Sequence, residues 1–243
     1  MWLGGWPFRL LLAGAALIAV REWVVIVGGT ARNPTVLPLA LGSAALAFAA
    51  ALVAGPPAGV VAALVLAVVV GWSAAGHDRG WMAAGLPYVV LGAIGLDWLR
   101  ESPHGGLGLL LYVMLAVWAT DIGAYAAGRS IGGPKLAPRL SPKKTWAGLI
   151  GGVVSSALAG ALVALAVGAA RPGVAALIGA VLAVVAQAGD LFESAVKRRY
   201  GVKDSGTLIP GHGGLLDRID GLLTAAAALA LFHAAAGEVL AWW

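Results

Sequence analysis

The sequence predicts an all-α integral membrane protein, a polytopic bundle of about eight transmembrane helices. Of its 243 residues, 60% are hydrophobic and only 11% are charged, whereas a soluble domain is about half apolar and roughly a quarter charged. The mean hydropathy is +0.91. The apolar residues also form stretches of about 20, the length that crosses roughly 30 Å of hydrocarbon. So few charges cannot cover a water-facing surface, which excludes a soluble enzyme, a disordered chain and a nucleic-acid-binding protein.

Breaks rich in Pro, Gly or charge separate the apolar stretches, as is typical of connections between helices. The first stretch carries Arg21 and Glu22, which make it too polar for a cleaved signal peptide. We expect about four spans in an N-terminal region, 1–105, and about four in a C-terminal region, 106–243. The predicted spans are 8–28, 36–54, 58–75, 81–99, 106–128, 147–170, 173–190 and 219–241.

The basic residues predict how the chain is oriented. When the loops after spans one, three, five and seven share one side, that side holds 13 of the 16 Lys and Arg residues. The other side keeps only Arg9, Arg100 and Arg171. By the positive-inside rule the first side is cytoplasmic, which leaves the N-terminus outside.

The cytoplasmic charges concentrate in two segments. The basic loop, 129–146, carries five bases and no acid, and the mixed-charge segment, 190–220, carries five acids and five bases. Together they hold 15 of the 27 charged residues in 49 of the 243 positions. A chain that used charge only for orientation would not place five acids on the positive side, so we expect a polar site in these cytoplasmic loops.

Several acids lie at the edges of the predicted spans or inside them. Asp190 ends the seventh span, while Asp217 and Asp220 open the eighth at a spacing that puts them on one helix face. Ionisable groups at membrane depth mark a functional site or a paired charge. Two acidic helix ends that face each other suit Mg²⁺, which takes one or two carboxylates and leaves other positions to water and phosphates. The alternative is that these acids only pair with neighbouring lysines and arginines.

Two segments could bind phosphate. In Gly211–Gly214, the glycines let backbone N–H groups approach an anion, and the helix that follows favours phosphate at its N-terminus. The prolines of the basic loop fix Ser141–Thr145, whose lysines either attract lipid headgroups or bind a substrate phosphate. The GxxxxGK[ST] and HExxH patterns do not occur and the chain has no cysteine, so a P-loop nucleotidase, an HExxH metalloprotease and a cysteine nucleophile are excluded.

The stretch Ser194–Asp220 resembles the signature of the phosphatidate cytidylyltransferases, or CDP-diacylglycerol synthases. It matches at the Lys-Arg and Lys-Asp pairs, the His-Gly-Gly run and the closing Asp-Arg-Ile-Asp. Trp118–Tyr125, Lys135–Trp146 and Gly189–Ser194 resemble the same family, as does the Glu22-Trp23 pair.

Two departures accompany the resemblance. Ala147 stands where the family usually has Glu, so any role of that carboxylate is lost or filled elsewhere. The chain also begins one span later than family members commonly do, which agrees with an N-terminus on the outside.

The resemblance implies that CMP passes from CTP to phosphatidic acid, with Mg²⁺ required and a second cation left open. It also implies the bacterial inner membrane, contact with membrane lipids, a homodimer, and no nucleic-acid partner. The implied Mg²⁺ ligands are Asp190, Asp217 and Asp220, which act in catalysis with Lys197 and Arg218, and Asp121 and Glu193 lie just behind them. The implied substrate-binding residues are Ser141, Lys143, Lys144, Arg198, Lys203, Asp204, His212, Gly213 and Gly214.

Two other functions share part of this pattern. A related CTP-using membrane enzyme, such as a polyprenol kinase or an archaeal-lipid cytidylyltransferase, needs the same metal and phosphate chemistry. An ion-coupled transporter would use intramembrane acids as a relay near the bilayer midplane. Here the acids gather at the cytoplasmic edge, which disfavours the transporter.

Overall fold

The computed structural model of the chain describes residues 4–28, 33–74, 76–103, 105–208, 210–211 and 213–240. Over these residues the fold is almost entirely helical, with one short antiparallel hairpin. The long helices are α1 (Trp6–Ile26), α2 (Val36–Ala54), α3 (Pro56–Ser73), α4 (Arg79–Arg100), α5 (Gly106–Ser130), α6 (Trp146–Val167), α7 (Pro172–Arg199) and α8 (Leu216–Leu240). The hairpin strands are β1 (Lys135–Ala137) and β2 (Ser141–Thr145).

Seven of these helices, α2 to α8, are long and apolar enough to cross a membrane. The prediction of an all-α polytopic membrane protein is therefore confirmed. The first helix differs because any 18 consecutive residues of α1 include Arg9, Arg21 and Glu22. Each of the other seven helices contains an apolar stretch of 18 residues with at most two charged residues.

The connections near the predicted site are more ordered than the sequence indicated. The seventh predicted span ends at residue 190, but α7 continues to Arg199, so the first third of the mixed-charge segment is helical. In the basic loop, β1 pairs with β2, with Lys135 opposite Thr145 and Ala137 opposite Ser141. Thr145 then caps α6, because its hydroxyl oxygen accepts a hydrogen bond from the Gly148 N–H at 3.0 Å.

Small residues allow neighbouring helices to pack closely, as is common in membranes. A Cβ atom on Gly123 of α5 would lie 2.7 Å from the Gly151 carbonyl oxygen of α6. Between α4 and α8, a Cβ atom on Gly95 would lie 2.9 Å from the Ala226 carbonyl oxygen. The second contact joins the N-terminal and C-terminal regions, whose buried residues form a shared core.

Candidate active site

A polar cavity of about 600 Å³ lies where the hairpin meets three helices. Its walls come from α5, the hairpin, the first turn of α6 and the middle of α7. The polar and charged residues that line it are Asp121, Tyr125, Arg129, Lys143, Lys144, Thr145, Gln187 and Asp190. The fold therefore brings the basic loop and the mixed-charge segment together at one cavity.

Lys144 joins these two segments directly. Its ammonium nitrogen lies 2.7 Å from Asp190 Oδ2 and donates to Gln187 Oε1 at 2.8 Å. Gln187 precedes Asp190 by three residues on α7, so both side chains project from one face of that helix. The other carboxylate oxygen of Asp190 accepts a hydrogen bond from the Ser194 hydroxyl at 3.3 Å. Asp121, on the α5 wall, lies close enough for its charge to interact with Asp190 and Lys144.

A second cluster is centred on Lys197, further along α7. Its ammonium nitrogen lies 2.8 Å from Glu193 Oε2 and 2.5 Å from Asp217 Oδ1 of α8. All three side chains are buried, and Glu193 is only 1% exposed. Lys197 thus offsets the charges of two carboxylates and ties the end of α7 to the start of α8.

The second oxygen of Asp217 is also used by the protein. Asp217 Oδ2 accepts hydrogen bonds from the Ser205 N–H at 2.8 Å, the Ser205 hydroxyl at 2.9 Å and the Gly214 N–H at 2.8 Å. Gly213 makes this turn at φ +86°, and a Cβ atom there would lie 2.5 Å from Asp217 Oδ2. Only glycine fits such a close approach in the left-handed region. Asp217 therefore closes the loop between α7 and α8.

The packing of α7 against α8 decides which acids meet. Asp217 pairs with Lys197, and a Cβ atom on Gly189 would collide with the Thr224 side chain, so the helices run antiparallel. This register places Asp220 beside Glu193 and near Asp190, close enough for their charges to interact. Lys197 lies seven residues beyond Asp190, about 10 Å along the helix axis. Asp220 therefore lies near Asp190, whereas Asp217 pairs with Lys197, two helical turns further along α7.

The remaining predicted substrate-binding residues lie around the cavity rather than all within it. Ser141 begins β2 and is half-buried, and Gly214 contributes its N–H to Asp217. Arg198 donates to the Val202 carbonyl oxygen at 3.1 Å. Of the predicted substrate-binding residues, Arg198, Lys203 and Asp204 are exposed and do not line the cavity, and the same holds for Arg218, which was predicted to act in catalysis. The predicted residue His212 lies outside the described residues.

Comparison with known proteins agrees with the resemblance seen in the mixed-charge segment. The model of the Cytidylyltransferase family matches residues 1–236. The chain belongs to this family. It is 41% identical over 243 residues to the phosphatidate cytidylyltransferase of Brucella suis biovar 1 (strain 1330), covering 98% of this chain and 88% of that relative.

Two further relatives match over a shorter length. The phosphatidate cytidylyltransferase of Haemophilus influenzae is 43% identical over 143 residues, 57% of this chain and 50% of the relative. That of Mycobacterium leprae (strain TN) is 44% identical over 128 residues, 53% of this chain and 41% of the relative.

Several polar residues in or beside the cavity were not predicted as site residues: Tyr125, Arg129, Thr145 and Gln187 line it, and Glu22 and Ser205 contact Asp217 or the start of α8. Glu22 of α1 is 2% exposed and accepts hydrogen bonds from the start of α8, and Ser205 bridges it to Asp217. Gln187 binds Lys144. The rule that singled out Asp121, an ionisable group at membrane depth, also applies to Glu22. For Gln187, the signal is a polar residue one turn before Asp190 in an apolar stretch.

Proposed function

We propose that this protein transfers CMP from CTP to phosphatidate, forming CDP-diacylglycerol and pyrophosphate. The observation that carries the proposal is the cavity in which Lys144 of the basic loop contacts Asp190 of the mixed-charge segment. Phosphate-binding bases and an acid that can bind a cation meet there, at the end of a membrane-embedded helix bundle. Membership of the family and similarity to the Brucella enzyme along nearly the whole chain support the same reaction.

The chemistry requires charge neutralisation more than a strong base. A phosphatidate oxygen, ionised at neutral pH, attacks the α-phosphorus of CTP. The bond from that phosphorus to the bridging oxygen breaks, and pyrophosphate leaves. Both reactants are anions, so catalysis depends on positioning and electrostatic stabilisation by cations. Arg129, Lys143 and Lys144 supply positive charge at the cavity wall.

We propose that Mg²⁺ binds at this cavity, where it would neutralise charge on the CTP phosphates. The residues fit the ion, because Asp190 and Asp121 present hard oxygen donors to the cavity and Asp220 lies near Asp190. In the described part of the chain, no three His, Cys, Asp or Glu residues form a metal-binding group. A site with few protein ligands suits Mg²⁺, which completes its coordination with water and substrate phosphates.

The predicted metal-binding role of Asp217 competes with its protein contacts. Both of its oxygens accept hydrogen bonds from Lys197, Ser205 or Gly214. Asp190 also has both oxygens in contact, with Lys144 and Ser194, but its side chain is 36% exposed at the cavity, whereas that of Asp217 is only 6% exposed. We therefore propose Asp190 and Asp220 as the principal ligands, with Asp217 holding the loop beside them. The second cation stays a prediction.

We place the protein in the bacterial inner membrane with the cavity on the cytoplasmic side. The support is the distribution of basic residues, 13 of 16 on the side of the basic loop and mixed-charge segment. CTP then reaches the cavity from the cytoplasm, and phosphatidate reaches it from the bilayer. The homodimer stays a prediction that chemical cross-linking in membranes would test.

The test is an assay of the purified protein with phosphatidate and CTP labelled at either the α- or the γ-phosphorus. We expect α-label in the lipid product, γ-label in pyrophosphate, and loss of both when Mg²⁺ is chelated. Asp190→Asn, purified in the same way, should lose the transfer. Label from the γ-phosphorus in the lipid would instead indicate a kinase, and turnover without a divalent cation would refute the metal proposal.

A further inference from the structure

Glu22 of α1 is a buried carboxylate that contacts the opposite end of the chain. Its Oε1 accepts a hydrogen bond from the Leu215 N–H at 2.9 Å, and its Oε2 accepts one from the Leu216 N–H at 2.7 Å. The Ser205 hydroxyl lies 3.0 Å from the same Oε2. Leu216 begins α8, so Glu22 satisfies N–H groups that have no partner within that helix. The partial positive charge at the start of α8 favours a carboxylate at this position.

The loop between α7 and α8 is held from two sides through one serine. The Ser205 hydroxyl lies within hydrogen-bond distance of Glu22 on α1 and Asp217 on α8, and Ser205 is only 3% exposed. A hydroxyl has one proton to donate, so the two carboxylates share it while the Ser205 N–H remains bound to Asp217. This arrangement ties the first helix to the segment that follows Lys203.

Two glycines provide the space that Glu22 occupies. A Cβ atom on Gly206 would lie 2.8 Å from Glu22 Oε1, and a Cβ atom on Gly214 would lie 2.5 Å from Glu22 Oε2. Any larger residue would displace the carboxylate. The loop is thus shaped around Glu22, although the two segments are almost two hundred residues apart in the chain.

We infer that Glu22 is a positioning residue, which holds residues 205–208 and 213–215 of the loop and the first turn of α8 in the geometry needed for nucleotide transfer. The inference rests on the proposed function, because it takes this loop and Asp220 as parts of the substrate and metal site. If the loop moves by about 1 Å, catalysis can fall on the order of 100-fold without any change in the reacting groups.

The experiment measures loop order and catalysis separately. The chain has no cysteine, so Thr207→Cys, at an exposed position of the loop, introduces a single site for a nitroxide spin label. A label at Ala170→Cys, in the exposed turn between α6 and α7, provides a control position. Each labelled protein is compared with and without Glu22→Gln or Glu22→Ala. Val20→Ala removes buried methyl groups from the same helix and controls for simple destabilisation of α1.

We expect Glu22→Gln to increase label mobility at position 207 but not at position 170. In an otherwise unlabelled chain, Glu22→Gln should lower kcat/KM for CTP by about 10- to 100-fold. The side-chain amide of Gln accepts hydrogen bonds only through its oxygen, whereas three donors point at this carboxylate, so the NH2 group would face at least one of them. Glu22→Ala should have a larger effect, whereas Val20→Ala should change neither quantity by more than about twofold.

The results separate failure of the inference from failure of the proposed function. Unchanged mobility at position 207 in both Glu22 variants would overturn the positioning role, as would increased mobility with unchanged kcat/KM. An unsubstituted protein that transfers no CMP would refute the proposed function, and the mobility measurement would still report whether Glu22 orders the loop.

Discussion

Lys197 lies between two buried carboxylates, so its removal should destabilise the protein strongly. The ammonium group contacts Glu193 and Asp217 at 2.8 and 2.5 Å, and the lysine is 8% exposed. Lys197→Met keeps most of the side-chain volume but leaves both carboxylates without their cation. Breaking a buried ion pair by removing one partner costs about 3–5 kcal/mol, because an uncompensated charge remains buried.

The assay is thermal unfolding of the purified protein in a mild detergent. At roughly 2–4 °C per kcal/mol for a chain of this size, Lys197→Met should lower the midpoint by about 6–20 °C. Adding Glu193→Gln should recover part of the loss, because it removes one of the two uncompensated charges. Lys135→Met, at an exposed position on β1, should shift the midpoint very little. A Lys197→Met protein as stable as the unsubstituted one, or no recovery on adding Glu193→Gln, would refute the ion-pair reasoning.

Three further predictions concern the cavity and the helix packing. Lys144→Ala should raise the KM for CTP by roughly 10- to 150-fold, because a charge-assisted contact worth roughly 1.5–3 kcal/mol is lost; steady-state kinetics measure this. Asp220→Asn should reduce turnover by more than about 100-fold if Asp220 binds the metal. Its free energy of unfolding should stay within about 1 kcal/mol of that of the unsubstituted protein, because the substitution removes a charge that lies near other acids. Gly123→Ala should destabilise by about 1–3 kcal/mol in the same unfolding assay, because its methyl group would collide with Ser155 and force α5 and α6 apart.

Control substitutions at positions outside the cavity or the helix contact test the reason given for each prediction. Lys135→Ala removes the same charge from the hairpin at a position that does not line the cavity, and equal effects of the two lysines would indicate general attraction to anions. Full turnover by Asp220→Asn would exclude it as a metal ligand. Gly42→Ala, in α2 where a Cβ atom meets nothing within 4 Å, should be neutral or stabilising; a similar loss there would refute the packing explanation for Gly123.

The prediction of helices succeeded because membrane insertion acts on local sequence. Each apolar stretch of about 20 residues forms all of its backbone hydrogen bonds within its own helix, so it can cross the bilayer without contacts from the rest of the chain. The predicted spans therefore agree with α2 to α8 within a few residues, except at α7. That helix runs nine residues past Asp190, because Glu193 and Lys197 are four residues apart and form a buried pair that stabilises the additional turns.

The location of the two charged segments was also readable from local patterns. Charge is rare in this chain, so its concentration in the basic loop and mixed-charge segment stood out, and the two segments do meet at Lys144 and Asp190. The hairpin was not predicted. Its strands are only three and five residues long, which is too short for a clear alternating pattern.

The sequence by itself determined the membrane class, the helical spans and the two segments in which charge concentrates, because each follows from composition or spacing within a short stretch. Only the tertiary structure decided which side chains meet. Asp217 pairs with Lys197 and Ser205, and Asp220 approaches Asp190, because close contact at Gly189 sets the register of α7 on α8. Glu22 reaches the start of α8 because α1 packs beside it. Contacts of this kind join residues distant in the chain, and no local pattern encodes the distance between them.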